Sequence, residues 1–103
     1  FTLHTEPNDD YFSNHWLSVV LVDSQSGITP EAIRLAAQKE NIETRPIWKP
    51  MHLQPVFQNS LYFGSDFAAK CFETGLCLPS GSNLSENDFG RIHHLFSEIF
   101  SLS

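Results

Sequence analysis

Apolar side chains along this chain fall into blocks whose spacing changes from one to the next. His15 to Asp23 (HWLSVVLVD) is a nearly unbroken run rich in Val and Leu that stops at the turn cluster Asp23-Ser24-Gln25-Ser26-Gly27. That pattern predicts a strand covered on both faces. Thr29-Pro30-Glu31 then has the form of a helix start, with a capping hydroxyl, Pro at the first helical position and an acid in the first turn. Ile33, Ala36 and Ala37 share one side while Arg34, Gln38 and Lys39 take the other, so the helix is predicted to run to about Asn41. Ile42 to Thr44 reads as a short strand. Three prolines in the next stretch, Pro46, Pro50 and Pro55, remove ladder donors, so Arg45 to Pro55 (RPIWKPMHLQP) is expected to be an ordered loop without regular pairing.

A second helix is predicted from a Ser65 cap to Thr74, carrying Phe67, Ala68, Cys71 and Phe72 at helical spacing, with Gly75 in the left-handed position that ends it. Leu76-Cys77-Leu78 follows as a short buried strand closed by Pro79, and Pro79 to Asn83 is a turn. Ser85, three residues before Asp88, resembles a capping box. The last helix is expected from Glu86, with Phe89, Ile92, Phe96 and Ile99 as its buried stripe. The order of elements is α/β, a short sheet with helices packed against it. The first fourteen residues are polar and carry turn formers at Pro7-Asn8-Asp9-Asp10, so residues 1–14 are expected to be an irregular segment before a domain at 15–103.

Length and charge narrow the function classes. The 103 residues suit one domain. With 12 acidic residues against 6 scattered Lys and Arg, the formal charge is −6, which argues against a nucleic-acid partner, because a phosphate backbone needs clustered cations. Cys71 and Cys77 match neither a zinc spacing nor a CxxC pair and read as free, buried thiols. No run approaches the roughly 20 apolar residues of a membrane span, and no signal-peptide pattern opens the chain, so no membrane partner and a cytoplasmic location are expected. The start at Phe1, without Met, leads to the expectation of a piece of a longer protein.

Several candidate chemistries give way to structural readings. His93 and His94 are adjacent on a helix and diverge by roughly 100 degrees, so they do not chelate one metal together. Phe89, Phe96 and Phe100 form a core stripe rather than a ligand box. Glycine-rich nucleotide loops are absent, and Ser80 lacks a nucleophile's frame. The loop with Arg45, Trp48, Lys49 and His52 is different. Its cations can meet phosphate and its Trp can cover a sugar or base; equally, Trp48 and Met51 can fill a core gap while Lys49 is solvated. The residues alone leave both readings open.

NIETRPIWKPMHLQPVF resembles the C-terminal part of the DegT/DnrJ/EryC1/StrS family of sugar aminotransferases, in particular the subgroup acting on UDP-linked 4-keto-6-deoxy sugars for bacillosamine-type glycans and pilin glycosylation. A second block, FETGLCLPSGSN followed by LSENDFGRI, is similar to the family's closing segment. The resemblance runs from about His15 to Phe100. It implies the small C-terminal domain of a fold-type-I enzyme dependent on pyridoxal 5'-phosphate, working as a homodimer on a nucleotide-sugar substrate with an amino acid, usually glutamate, as donor. It further implies that the Schiff-base lysine and the acid facing the pyridine nitrogen lie in a large domain N-terminal to Phe1, so this segment alone holds no cofactor and no catalytic residue. Arg45, Trp48, Lys49 and His52 are the substrate-binding candidates, His52 standing in the recurring HLQP block. Two alternatives stay open: a non-catalytic binding or dimerisation module of the same fold, and part of a sugar dehydratase.

Overall fold

A computed structural model describes residues 1–101 and begins the sheet earlier than the hydrophobic pattern does. Thr2–Leu3 forms β1 inside the stretch expected to be irregular, and it pairs antiparallel with β2 (Ser18–Leu21), Thr2 opposite Leu21. The His4 amide extends the ladder by donating to the Val19 carbonyl at 2.9 Å. Two residues carry no readable periodicity; β1 exists because β2 offers it an edge.

Strand β2 is shorter than the apolar run that predicted it, because His15 adopts a left-handed φ of 53° that interrupts extended backbone. It is also not covered on both faces. Only Val20 within β2 is fully buried, its neighbours being half-buried. After it, the Asp23 carboxylate accepts from the Gln25 amide and Gly27, at φ 75°, turns the chain.

The first helix, α1 (Pro30–Lys39), forms as its start signals predict, and the Thr29 hydroxyl accepts from the Ala32 amide at 3.1 Å. Its end depends on Asn41, which takes φ 55° so that the Ile42 amide reaches back to the Ala37 carbonyl at 2.8 Å. This is the hydrogen-bond closure that a left-handed residue permits. Beyond it the expected strand at Ile42 to Thr44 is displaced. Ile42 and Thr44 are buried and Glu43 exposed, but pairing starts only at β3 (Arg45–Pro46), with Arg45 opposite Cys77 and Pro46 opposite Leu76 of β4 (Gly75–Leu78). A proline therefore does pair here, against expectation. The strand order is β1-β2-β4-β3, all antiparallel, and β3 lies on an edge where a missing N–H is tolerated.

Helix α2 (Phe67–Thr74) buries none of its side chains fully, and it starts one residue later than the Ser65 cap implied, behind Asp66, whose carboxylate pairs with Lys70 at 3.0 Å. Cys71 is correspondingly half-buried rather than buried, whereas Cys77 is buried as expected, and both are free thiols. Gly75 is not left-handed. At φ −98° and ψ 156° it is already extended and opens β4.

The last helix, α3 (Glu86–Ser101), carries the anticipated reciprocal cap. The Ser85 hydroxyl accepts from the Asp88 amide at 3.2 Å, and the Asp88 carboxylate accepts from the Ser85 amide at 2.8 Å and its hydroxyl at 2.7 Å. These bonds, the backbone one foremost, hold the Asp88 carboxyl below the usual aspartate range. The buried stripe differs from the predicted one: Leu95 is the deeply buried residue, Ile92, Phe96 and Ile99 are partly covered, and Phe89 is 51% exposed. One core joins Val20, Val22, Ile33 and Leu76; the other joins Ala37, Ile42 and Leu95, with Ile99 packed against both. The Arg91 guanidinium donates to the Glu40 carbonyl and ties α3 to the end of α1.

Candidate functional site

Alternation along the edge segment decides where the proline loop's chemistry points. With Ile42 and Thr44 turned into the core, Glu43 and Arg45 are turned out, and the Arg45 Nε donates to the Glu43 carboxylate at 2.7 Å. Three residues on, Trp48 is 65% exposed, its ring tilted by 34° against that of Trp16 with centroids 5.8 Å apart. Beside this pair runs a groove of about 640 Å³ with Leu17, Arg45, Trp48, Pro79, Ser80 and Leu84 on its walls. Largely apolar walls with a few polar groups suit a ring-bearing ligand. Ser80 is a structural member of that wall: its hydroxyl accepts from the Ser18 amide at 2.8 Å and donates to the Leu78 carbonyl at 3.0 Å.

After Trp48 the loop is braced by its own side chains. Two short 3-10 turns, Met51–Leu53 and Pro55–Phe57, follow one another, and the Gln54 side-chain amide donates to the Lys49 carbonyl at 3.2 Å. The Lys49 side chain is exposed, and among the described residues its ammonium makes no ion pair. His52 is half-buried and stacks on Tyr62, ring centroids 3.9 Å apart and planes 21° from parallel, at a separate hollow of about 410 Å³ that also includes Met51, Phe57 and Leu61. Of the four candidates, then, Arg45 and Trp48 share the groove, Lys49 stands outside both hollows, and His52 belongs to the second.

Sequence reasoning missed Trp16 and Tyr62. Trp16 lies inside the apolar strand run and reads there as one more strand residue, although a Trp at the run's polar end is a usable signal. Tyr62 lies in a segment without periodicity, and only the fold brings it to His52. Among the described residues no cluster of three His, Cys, Asp or Glu is placed to hold a metal, and His93 and His94 are exposed, His94 Nε2 lying 3.4 Å from Glu98. No described helix is long and apolar enough to cross a membrane.

Comparison with known proteins matches residues 1–97 to the DegT/DnrJ/EryC1/StrS aminotransferase family. The chain is 40% identical over 92 residues to EpsN of Bacillus subtilis (strain 168), provisionally named a pyridoxal phosphate-dependent aminotransferase; the match covers 85% of this chain and 23% of EpsN. It is 27% identical over 90 residues to GDP-perosamine synthase of Caulobacter vibrioides, covering 85% of this chain and 24% of that protein. The fold is shared with PseC of Helicobacter pylori, an aminotransferase involved in the biosynthesis of pseudoaminic acid, at a TM-score of 0.72 and 18% identity over 84% of this chain and 24% of PseC. A sugar aminotransferase from Streptococcus pneumoniae, provisionally so named (Spr1654), superposes at a TM-score of 0.65 and 20% identity over 82% of this chain and 22% of its own. The chain thus spans about a quarter of the length of the relatives it matches, and on the match over residues 1–97 it belongs to the DegT/DnrJ/EryC1/StrS aminotransferase family.

Proposed function

We propose that this chain is the C-terminal small-domain portion of a pyridoxal phosphate-dependent aminotransferase that transfers an amino group from an amino acid, glutamate foremost, to a UDP-linked 4-keto-6-deoxy sugar in glycan or pilin glycosylation. In this reading it acts beside a large N-terminal domain in a homodimer, in the cytoplasm, a reducing setting consistent with its two free thiols. The observation that carries it is the exposure of Trp48 on a proline-braced loop beside an apolar groove, in a chain 40% identical to EpsN. A Trp ring left open to solvent next to Arg45, ion-paired with Glu43, and Lys49, which makes no ion pair among the described residues, has the composition of a surface for a sugar ring and its phosphates. The exposed Met51, Val56, Leu61 and Phe63 give the same region the apolar character of a surface that meets further protein.

The residues of this chain do not fit the holding of the cofactor. A Schiff-base lysine is activated by desolvation or by a neighbouring cation. Lys39 and Lys49 are exposed, and Lys70 is exposed and neutralised by Asp66. What the chain contributes is binding and orientation: Trp48 as a wall for the sugar, Lys49 as a counter-charge for phosphate, Arg45 as a second one where phosphate displaces its Glu43 partner, and His52 as a hydrogen-bonding edge. Mixing the isolated chain with pyridoxal phosphate is accordingly expected to give no stoichiometric visible absorbance band that survives dialysis. A surviving band that maps to one lysine overturns the division of labour.

The test of the substrate surface is Lys49→Ala in the full-length enzyme. A contact to phosphate binds ground state and transition state alike, so the expected change is a rise in KM for the nucleotide sugar with kcat nearly constant, and a loss of about ten- to hundred-fold in kcat/KM. The half-reaction with the amino donor should stay normal. Unchanged sugar kinetics would reduce the loop to a brace.

A further inference from the structure

Resting on the assignment of His52 to the substrate surface, we infer that Tyr62 is its positioning residue: it fixes the plane in which the imidazole is presented. The two rings lie face to face, 3.9 Å between centroids and 21° from parallel, close enough that rotation of the imidazole about its Cβ–Cγ bond would drive a ring edge into the face of the phenol. The phenol is itself pinned. Its hydroxyl donates to the Ser65 carbonyl at 2.5 Å, in the exposed segment just ahead of the Asp66 that precedes α2, so the ring is tied to the approach to that helix.

The intervening chain is shaped to allow this. Gly64 adopts φ 136°, a conformation that side-chain-bearing residues rarely take, and a Cβ there would sit 3.4 Å from the Tyr62 phenol oxygen. His52 is meanwhile held on its own side by the 3-10 turn Met51–Leu53, in which the Leu53 amide donates to the Pro50 carbonyl at 3.0 Å. Two segments ten residues apart, each closed by local hydrogen bonds, thus meet through one ring stack. The ring nitrogens of a stacked imidazole lie at the rim of the stack, where they can bond a polar group of the substrate. An unstacked ring loses that orientation.

The test joins a spectroscopic and a kinetic reading. In the isolated chain, the ring protons of His52 should be displaced upfield by the Tyr62 ring current, Tyr62→Leu should abolish that displacement, and Tyr62→Phe, which keeps the ring but loses its bond to Ser65, should keep part of it. In the full-length enzyme, Tyr62→Leu should change the nucleotide-sugar KM or kcat/KM in the direction of His52→Ala, by about two- to ten-fold, with Tyr62→Phe restoring part of the loss. Two results overturn the proposal: no upfield displacement in the unaltered chain, or normal sugar kinetics in Tyr62→Leu while His52→Ala is impaired. If His52→Ala itself has normal kinetics, the functional reading of His52 fails first, and the stack, still visible in the spectrum, is then only structural.

Discussion

Gly75→Val is expected to destabilise the domain severely, and Gly75→Ala to cost about 1–3 kcal/mol, the range found for overpacked cores. A Cβ at this position would meet Ile47 Cδ1 at 2.0 Å and the Cys71 carbonyl oxygen at 2.6 Å. The first contact is with a side-chain tip that can move. The second is with backbone at the end of α2 and has nowhere to go without bending the helix away from β4. Combining Gly75→Ala with Ile47→Ala should therefore recover only part of the loss in urea titrations. Wild-type stability in Gly75→Ala, or full recovery in the double variant, would show that the helix-to-strand junction is not as tight as described. Because Ile47 also lies between Arg45 and Trp48, the junction sets the starting height of the proline loop, so the same substitution should disturb the groove.

Ile33→Ala should lower stability by about 2–5 kcal/mol, since the residue is 0% exposed and packs with Val20, Val22 and Leu76, where removing three methyl or methylene carbons leaves a cavity against a sheet that cannot collapse onto α1. Leu95→Ala belongs in the same range, at 4% exposure in the second core. Phe89→Ala provides the contrast: although it falls on the stripe read from helical spacing, its exposure predicts a change within about 0.5 kcal/mol. Thermal or urea unfolding of the three variants separates the core seen in the structure from the one read in the sequence. If Phe89→Ala proved as costly as Leu95→Ala, the rotation of α3 about its axis would have to be different.

How much was legible depended on whether the information was local. Thr29-Pro30 and Ser85 with Asp88 placed the starts of α1 and α3, because a cap is a contact between residues three apart and needs nothing from the rest of the fold. The apolar runs at Val19-Val20 and Leu76-Cys77-Leu78 marked the two central strands, and the blocks around His52 and Leu78 carried enough identity for the family resemblance.

What the sequence alone could not determine is what depends on partners distant along the chain. Thr2–Leu3 is a strand only because β2 leaves an edge free, and Pro46 pairs only because its strand is the outermost, where a missing amide costs no ladder bond. Gly75 is required for the space taken by Ile47 and Cys71, a steric demand that leaves the same letter in the sequence as a left-handed cap would. The choice of Leu95 over Phe89 was made by the angle at which α3 meets α1 and the sheet, which one helix's periodicity leaves undetermined by a residue or two. The same holds for the site: composition put Arg45, Trp48, Lys49 and His52 in one loop, but the turns within it and the rings of Trp16 and Tyr62 divided them between two hollows, because a side chain's surroundings are set by whatever the tertiary fold brings alongside it.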